Sequence, residues 1–261
     1  MKPKRRIPPI IPVTLALLLF GAVKLPIEQS LDDAHRASFF RGAKLTLGLR
    51  EQIGQGAFLA ALSGYRSLVA DLLFLGAFTA WERTDWGKLV VLCNNVTALQ
   101  PRVIKYWEMS VCYMAYDASV AARNNPRLPR EALRIKAERQ YWDLGRDFVE
   151  RGIRNNPDRW KLYERLAILM KDKYQNHAAA SEAFTKVSRF KDAPEYAKRF
   201  AAYELSYCEG REAEAYALLL RYFNQGPQER LPTLIARLKA LEEKLSIPPE
   251  QRIYIPARNH H

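Results

Sequence analysis

Two adjacent stretches near residues 160–194 combine bulky and small apolar residues at helical spacing. The pattern consists of aromatic and aliphatic residues and alanines, and it ends at a proline: Trp160, Tyr163, Leu166, Ala167, Met170, Ala180, Phe184, Val187 and Pro194. Alanines such as Ala167 and Ala180 allow two helices to approach closely where they cross, while Leu166 and Phe184 fill the seam with neighbouring helices. The chain is therefore predicted to fold by packing helical hairpins side by side.

The same pattern recurs in weaker form before and after this stretch. It uses Ala77, Ala80, Trp86, Leu89, Cys93, Val96 and Pro101 in a first unit, Trp107, Val111, Met114, Trp142, Gly145, Val149, Gly152 and Pro157 in a second, and Phe200, Ala201, Gly210, Ala213, Ala217 and Leu220 in a fourth. In this order the residues resemble the tetratricopeptide (TPR) repeat family. The resemblance covers roughly residues 70–225. It implies an all-α fold, a right-handed α-solenoid of TPR-like helical-hairpin repeats.

The second unit departs from the period of the family. It runs from Ile104 to Arg159, well beyond the usual period of about 34 residues. We expect the excess within residues 118–135, as a loop and an extended helix. A non-repeat bundle of the same helices is the alternative fold.

Basic residues precede an uncharged apolar stretch at the start of the chain. Lys2, Lys4, Arg5 and Arg6 come before residues 7–23, which are close to the shortest length that spans a bilayer. Residues 1–33 are therefore predicted to hold a basic N-terminus and a transmembrane anchor, with a cleaved signal peptide or an interfacial helix as alternatives. The positive-inside rule places the N-terminus in the cytoplasm and the repeats outside it, at a bacterial inner membrane.

Turn-forming residues divide the rest of the chain. Residues 34–63 are interpreted as a juxtamembrane amphipathic helical segment that either packs on the first repeat helix or contacts a membrane or partner. Residues 64–227 are predicted to form the repeats and residues 228–246 a capping helix, starting near Glu229 and ending near Leu245. Residues 247–261 form a C-terminal tail that ends in His260-His261.

The chain is strongly basic, with a formal net charge of +13. Its densest basic stretch lies in the long second unit and predicts an exposed lip for anionic lipid or an acidic partner, formed by Arg123, Arg127, Arg130 and Arg134. An ordinary solvated surface is the alternative. Acidic residues are interspersed and no nucleic-acid-binding motif occurs, so a nucleic-acid partner is disfavoured.

The resemblance to TPR repeats also implies which residues face a bound partner. The first helix of each repeat lines the concave surface in this family, and carrying over its inward positions selects Phe74, Phe78, Trp81, Lys105, Glu108, Cys112, Lys161, Glu164, Arg165, Ile168, Lys198 and Ala202. Lys161 and Arg165 resemble one part of a carboxylate clamp, but Phe74, Phe78 and Met109 occupy its other positions. The apolar first unit therefore suits a hydrophobic helix or strand of a partner protein better.

No chemistry-bearing motif appears in the sequence. A Gly-rich phosphate loop, a Ser elbow and a His-based dyad at readable spacing are all missing, and His177 stands alone. Cys93, Cys112 and Cys208 lack metal-ligand spacing, so we expect buried thiols and neither a metal nor a cofactor.

These observations predict a non-catalytic, membrane-anchored scaffold or adaptor that mediates protein–protein interactions in the cell envelope. A fixed accessory subunit of a membrane protein complex is the alternative. A basic helical repeat that binds nucleic acid is a third and less favoured possibility.

Overall fold

The computed structural model describes residues 64–253, and its regular elements in that range are all helical. The predicted all-α class is therefore confirmed for this part of the chain. The described residues form two compact units, 64–156 and 157–253. In both units each helix packs mainly against the helix that precedes or follows it along the chain.

The first unit contains two helical hairpins. Its elements are α1 (Arg66–Glu82), α2 (Trp86–Leu99), α3 (Ile104–Cys112), a π-helical segment (Tyr113–Ala118), α4 (Ser119–Arg123) and α5 (Glu131–Asn155). Helix α2 begins where the Asp85 side chain accepts a hydrogen bond from the backbone N–H of Lys88 at 3.1 Å, which satisfies one donor of the first turn. The turn before it uses Thr84 at a φ of 54°.

Helices α3 and α4 and the π-helical segment form one continuous helical run. The junction residues Cys112 and Ala118 both keep right-handed helical dihedral angles. The loop after α4 returns the chain antiparallel along this run, because α5 packs in turn against α4, the π segment and α3. The long second unit of the sequence is therefore explained by two long helices around a loop at residues 124–130, close to where the excess was expected.

Two glycines allow α5 to approach this helical run closely. A Cβ atom on Gly145 would lie 2.6 Å from the Cβ of Ala115, and one on Gly152 would lie 3.1 Å from the Cγ of Trp107. Cβ atoms do not approach other atoms to 2.6 Å in real proteins. The crossing of the two helices therefore depends on the missing side chains.

The second unit continues the pattern of paired helices. It contains α6 (Trp160–Asp172), α7 (His177–Val187), α8 (Tyr196–Leu205), α9 (Glu212–Phe223), a 3₁₀ turn (Pro227–Glu229), α10 (Pro232–Lys244) and a second 3₁₀ turn (Pro249–Gln251). Ala167 of α6 packs with Ala183 and Phe184 of α7, and Ala180 of α7 is also fully buried. Asn176 begins α7 by accepting a hydrogen bond from the backbone N–H of Ala179 at 3.0 Å.

Helix α10 packs on α9 and buries Leu234, Leu238 and Leu241 beside Leu219. It begins later than the sequence predicted. Residues 227–229 form a separate 3₁₀ turn, and the helix starts at Pro232. Proline fixes a helical φ and lacks an N–H, so it suits the first turn of a helix.

Candidate partner-binding surfaces

Helix α1 exposes a stripe of large apolar side chains. Leu68, Leu72, Leu75 and Phe78 are 53%, 59%, 63% and 45% exposed, and their spacing of three and four residues places them along one side of the helix. The opposite side is also apolar, because it buries Val69, Ala70, Ala77 and Ala80. The helix is thus apolar on both sides, although one of them faces solvent. We call Leu68, Leu72, Leu75 and Phe78 the α1 stripe.

Aromatic side chains continue from the α1 stripe towards α3 and the π segment. Phe78 lies 5.6 Å from Trp81 and Trp81 lies 5.9 Å from Tyr113, measured between ring centroids. The indole N–H of Trp81 donates a hydrogen bond of 2.8 Å to Asp117. Trp81 is therefore held in place while its neighbour Phe78 is exposed.

Phe74, the third predicted aromatic residue of α1, is half-buried against Tyr106, with 5.0 Å between ring centroids. Tyr106 in turn donates a hydrogen bond to Asp71 of α1. These contacts join α1 to α3. Phe74 and Trp81 thus lie on the side of α1 that meets α3 and the π segment, whereas Phe78 is exposed beside Trp81.

The predicted polar positions of α3 differ in exposure. Lys105 is exposed, whereas Glu108 and Cys112 are half-buried. Lys105 directly precedes Tyr106, which contacts α1. These residues stay predicted partner contacts, and Lys105 presents the more accessible charge.

The predicted residues of the second unit differ in their surroundings. Lys161 is exposed and Arg165 is half-buried on α6, while Ile168 packs against the core of Ala167 and Phe184. Glu164 accepts a hydrogen bond from the hydroxyl of Tyr196 on α8.

Lys198 and Ala202 instead line a groove of about 550 Å³ formed by α7, α8 and α9, which does not include the predicted residues of α6. Several charged side chains line this groove, among them Glu182, Lys186 and Arg189. Its chemistry is therefore polar, unlike that of the α1 stripe.

The predicted basic lip consists of two exposed and two half-buried arginines. Arg127 and Arg130 are exposed, and Arg130 stands directly before α5. Arg123 pairs with Glu131 at 2.8 Å and approaches Glu138 at 3.8 Å. Arg123 holds the pKa of the Glu131 carboxyl below its usual range, through their hydrogen bond and its positive charge.

Arg134 differs from the expectation of an exposed side chain. The residue is half-buried, and its Nε is shielded from solvent without a hydrogen-bond acceptor among residues 64–253. The reason is its place one turn into α5, which packs along α4. The exposed positive charge of the lip therefore belongs mainly to Arg127 and Arg130.

A cluster around His177 was missed by the sequence analysis. Its Nδ1 lies 2.7 Å from a carboxylate oxygen of Glu204, which is buried on α8. The imidazole ring stacks on Tyr207 at 4.6 Å, and the guanidinium of Arg237 lies 3.7 Å from the centre of the same tyrosine ring. The cluster joins α7, α8 and α10, and no sequence motif indicates it because His177 and Glu204 are 27 positions apart.

Cys208 lies one turn beyond Glu204. Its thiol donates a weak hydrogen bond to the backbone oxygen of Glu204 at 3.6 Å. Burial raises the pKa of the thiol, which favours the neutral form over the nucleophilic thiolate. The contacts that define the His177 cluster are those that join α7, α8 and α10.

None of the helices within residues 64–253 combines the length and the apolar character needed to cross a bilayer. The predicted anchor at residues 7–23 and the juxtamembrane segment 34–63 lie outside the described residues, as does most of the C-terminal tail. The membrane assignment therefore stays a prediction from sequence.

Searches of protein-family models, curated proteins and solved structures find no match to this chain. The TPR resemblance thus remains an expectation drawn from the residues, and function must be inferred from the surfaces themselves.

Proposed function

We propose that this protein is a non-catalytic, membrane-anchored scaffold of TPR-like helical hairpins. Its first hairpin binds an apolar helix of a partner membrane protein in the cell envelope. The observation that carries this proposal is the α1 stripe. Large apolar patches on a soluble surface mark interaction sites far more often than isolated exposed leucines do.

The succession of helical hairpins supports the scaffold part of the proposal. Each described unit contributes two consecutive hairpins, α1 with α2 and α3–α4 with α5, then α6 with α7 and α8 with α9. Small residues occupy the close contacts within these hairpins, as at Gly145 and Ala167. A stack of such hairpins offers extended surfaces for binding other chains.

The geometry of the α1 stripe suits a helix as the bound element. Its side chains follow the i, i+4, i+7 and i+10 spacing of one helical face, which matches the apolar seam of a helix lying alongside. Phe78 adds an exposed aromatic ring next to the hydrogen-bonded Trp81. A few residues carry most of the binding energy at an interface, and aromatic residues such as Trp and Tyr are enriched among them.

The chain order suggests that the partner is a membrane protein. α1 is the first described helix after the predicted anchor at residues 7–23. Residues 24–65 would tether α1 to the membrane and so raise its local concentration relative to the membrane-proximal helices of other proteins.

Affinity purification of the full chain from detergent-solubilised membranes tests the proposal. Leu72→Gln and Leu75→Gln each place an amide in the α1 stripe, and we expect either variant to lose the partner. Leu231→Gln makes the same change at another exposed leucine, just before α10, and should retain the partner. Equal recovery from all three variants would contradict the assignment of the stripe.

The set of recovered proteins also separates the two envelope functions. A variable set of partners indicates an adaptor, whereas a single stoichiometric partner indicates a fixed accessory subunit. Recovery of nucleic acid that falls steeply with salt would instead favour the nucleic-acid alternative.

A further inference from the structure

A second surface of different chemistry lies in the first unit. A groove of about 710 Å³ is lined by α2, α4, the loop that follows α4, and α5. Bulky apolar residues of its lining include Trp86, Val90, Leu128 and Leu144, and small ones include Ala121 and Ala137. The volume lies within the range of about 300–1,000 Å³ that is typical of ligand sites.

Polar groups interrupt this apolar lining. Asn125, Gln140 and Asp143 also face the groove. Amide and carboxylate groups can form hydrogen bonds with polar side chains of a peptide, whereas a hydrocarbon chain would leave them against apolar atoms. The lining therefore favours a polypeptide over a lipid.

Positive charge is concentrated beside the groove. Leu128 belongs to the same loop as Arg127, and Arg130 directly precedes α5, which supplies part of the lining. Both arginines are exposed, and neither forms an ion pair with a carboxylate in the part of the chain that the structure describes. The nearby carboxylates Glu131 and Glu138 face Arg123 instead. The groove is thus lined mainly by apolar residues, with Asp143 among its polar ones, and Arg127 and Arg130, which flank Leu128 along the chain, form its cationic edge.

We propose that this groove binds an amphipathic segment of a protein partner that carries acidic residues next to its apolar ones. The apolar side chains enter between Trp86, Leu128 and Leu144, and the acidic residues pair with Arg127 and Arg130. This site shares no residue with the α1 stripe. It goes beyond the proposed function, because it adds a binding surface that selects for negative charge.

Binding of defined peptides to the full chain in phosphatidylcholine nanodiscs tests the proposal, with empty nanodiscs as the blank. The main probe is a fluorescein-labelled helical peptide with leucines at i, i+3, i+4 and i+7, followed by glutamates. One comparison peptide replaces the glutamates with lysines, and another replaces the leucines with serines. We expect the leucine–glutamate peptide to bind at least about tenfold more tightly than either by fluorescence anisotropy, and less tightly as salt rises.

Variants of the groove identify the binding surface. Ala137→Phe fills the groove and should weaken binding of the leucine–glutamate peptide about tenfold or more. Ala132→Phe adds the same side chain at an exposed position of α5 outside the lining and should leave binding unchanged.

A charge reversal tests the cationic edge without touching the core. Arg130→Glu should weaken binding of the same peptide and reduce its dependence on salt. Arg154→Glu makes an identical change in net charge at an exposed position near the other end of α5 and should have little effect. Because both arginines are exposed, this comparison stands even if Ala137→Phe fails to fold.

Two results would overturn the proposal. One is that the folded Ala137→Phe and Arg130→Glu variants both bind the leucine–glutamate peptide as tightly as the parent does. The other is binding of phosphatidylglycerol vesicles, lost in Arg130→Glu, together with no binding of the leucine–glutamate peptide. The second result would assign the cationic edge to anionic lipid.

Discussion

Gly145 of α5 lies directly against Ala115 of the π-helical segment, so that a Cβ on the glycine would stand 2.6 Å from the Cβ of the alanine. The backbone nitrogen of Ala115 would also be only 3.2 Å away. Because backbone atoms cannot rotate aside as a flexible side chain can, the two helices must separate to admit even one methyl group. The second hairpin is therefore built around this contact.

Gly145→Ala is expected to destabilise the protein by about 1–3 kcal/mol, since overpacking outweighs the better helix propensity of alanine. Denaturant unfolding of the full chain in detergent, followed by circular dichroism, measures the change. Gly76→Ala is the matched control, because its Cβ would meet only the side chain of Leu92 at 3.7 Å. We expect that control to be neutral or stabilising by up to about 1 kcal/mol. Adding Ala115→Gly to Gly145→Ala should recover only part of the lost stability, because the backbone nitrogen of residue 115 stays 3.2 Å from the new Cβ and glycine is a poor helix former.

Ala167 provides a corresponding test in the second unit. It is fully buried in a cluster with Ala183, Phe184 and Ala201, so Ala167→Leu should cost on the order of 1–3 kcal/mol by overpacking. Ala178→Leu makes the same change at an exposed position of α7 and should shift stability by no more than about 0.5 kcal/mol. Similar unfolding free energies for the two variants would mean that Ala167 does not lie at a tight crossing.

Small residues at helix crossings could be predicted from the sequence because they recur with the period of the hairpins. Gly145 and Ala167 both stood out in this way. Contacts between side chains on different helices could not be predicted from the sequence, since the tertiary packing decides which side chains meet. The pair of His177 and Glu204 is the main example.

Exposure was predicted less well than helix location. Arg134 was expected on an exposed lip, but the packing of α5 along α4 half-buries it. Phe78 was selected as a partner-facing residue, but the three leucines of the α1 stripe were not, because the sequence of an apolar helix is typical of a core element. Only the structure shows which of its apolar sides faces solvent.

The raised pKa values of two tyrosines predict that the protein loses stability at high pH. Burial, followed by the neighbouring Asp71, raises the pKa of Tyr106 to about 12, and burial with Glu164 raises that of Tyr196 to about 12. The usual value is about 10. Since the folded pKa lies above the unfolded one, the stabilisation is fully present below about pH 10 and is lost as the pH rises towards 12.

Tyr106→Phe keeps the ring and removes the titrating hydroxyl. At pH 9 we expect the variant to be less stable than the parent by about 1 kcal/mol, from loss of the hydrogen bond to Asp71. This difference in the free energy of unfolding should shrink between pH 10 and 12. Over that range the hydroxyl of Tyr106 loses its proton in the unfolded parent, which lowers the stability of the parent but not that of the variant. Unfolding free energies measured across this range check the prediction, and Tyr196→Phe repeats it in the second unit. A difference that stays constant with pH would rule out the raised pKa.

The predicted anchor leads to an expectation about membrane attachment and orientation. The full chain should fractionate with membranes and resist extraction by salt or alkali, whereas a chain that begins at Asp32 should be released by salt, because it lacks residues 7–23.

A reporter that is active only in the cytoplasm should be inactive when fused after Pro256, since four basic residues precede the apolar stretch and only Lys24 follows it closely. Moving those four basic residues from before Ile7 to just after Lys24 should reverse the reporter result. If the shortened chain still requires detergent, residues 34–63 contact the bilayer themselves; if the reporter is active with the natural sequence, the hairpins lie in the cytoplasm.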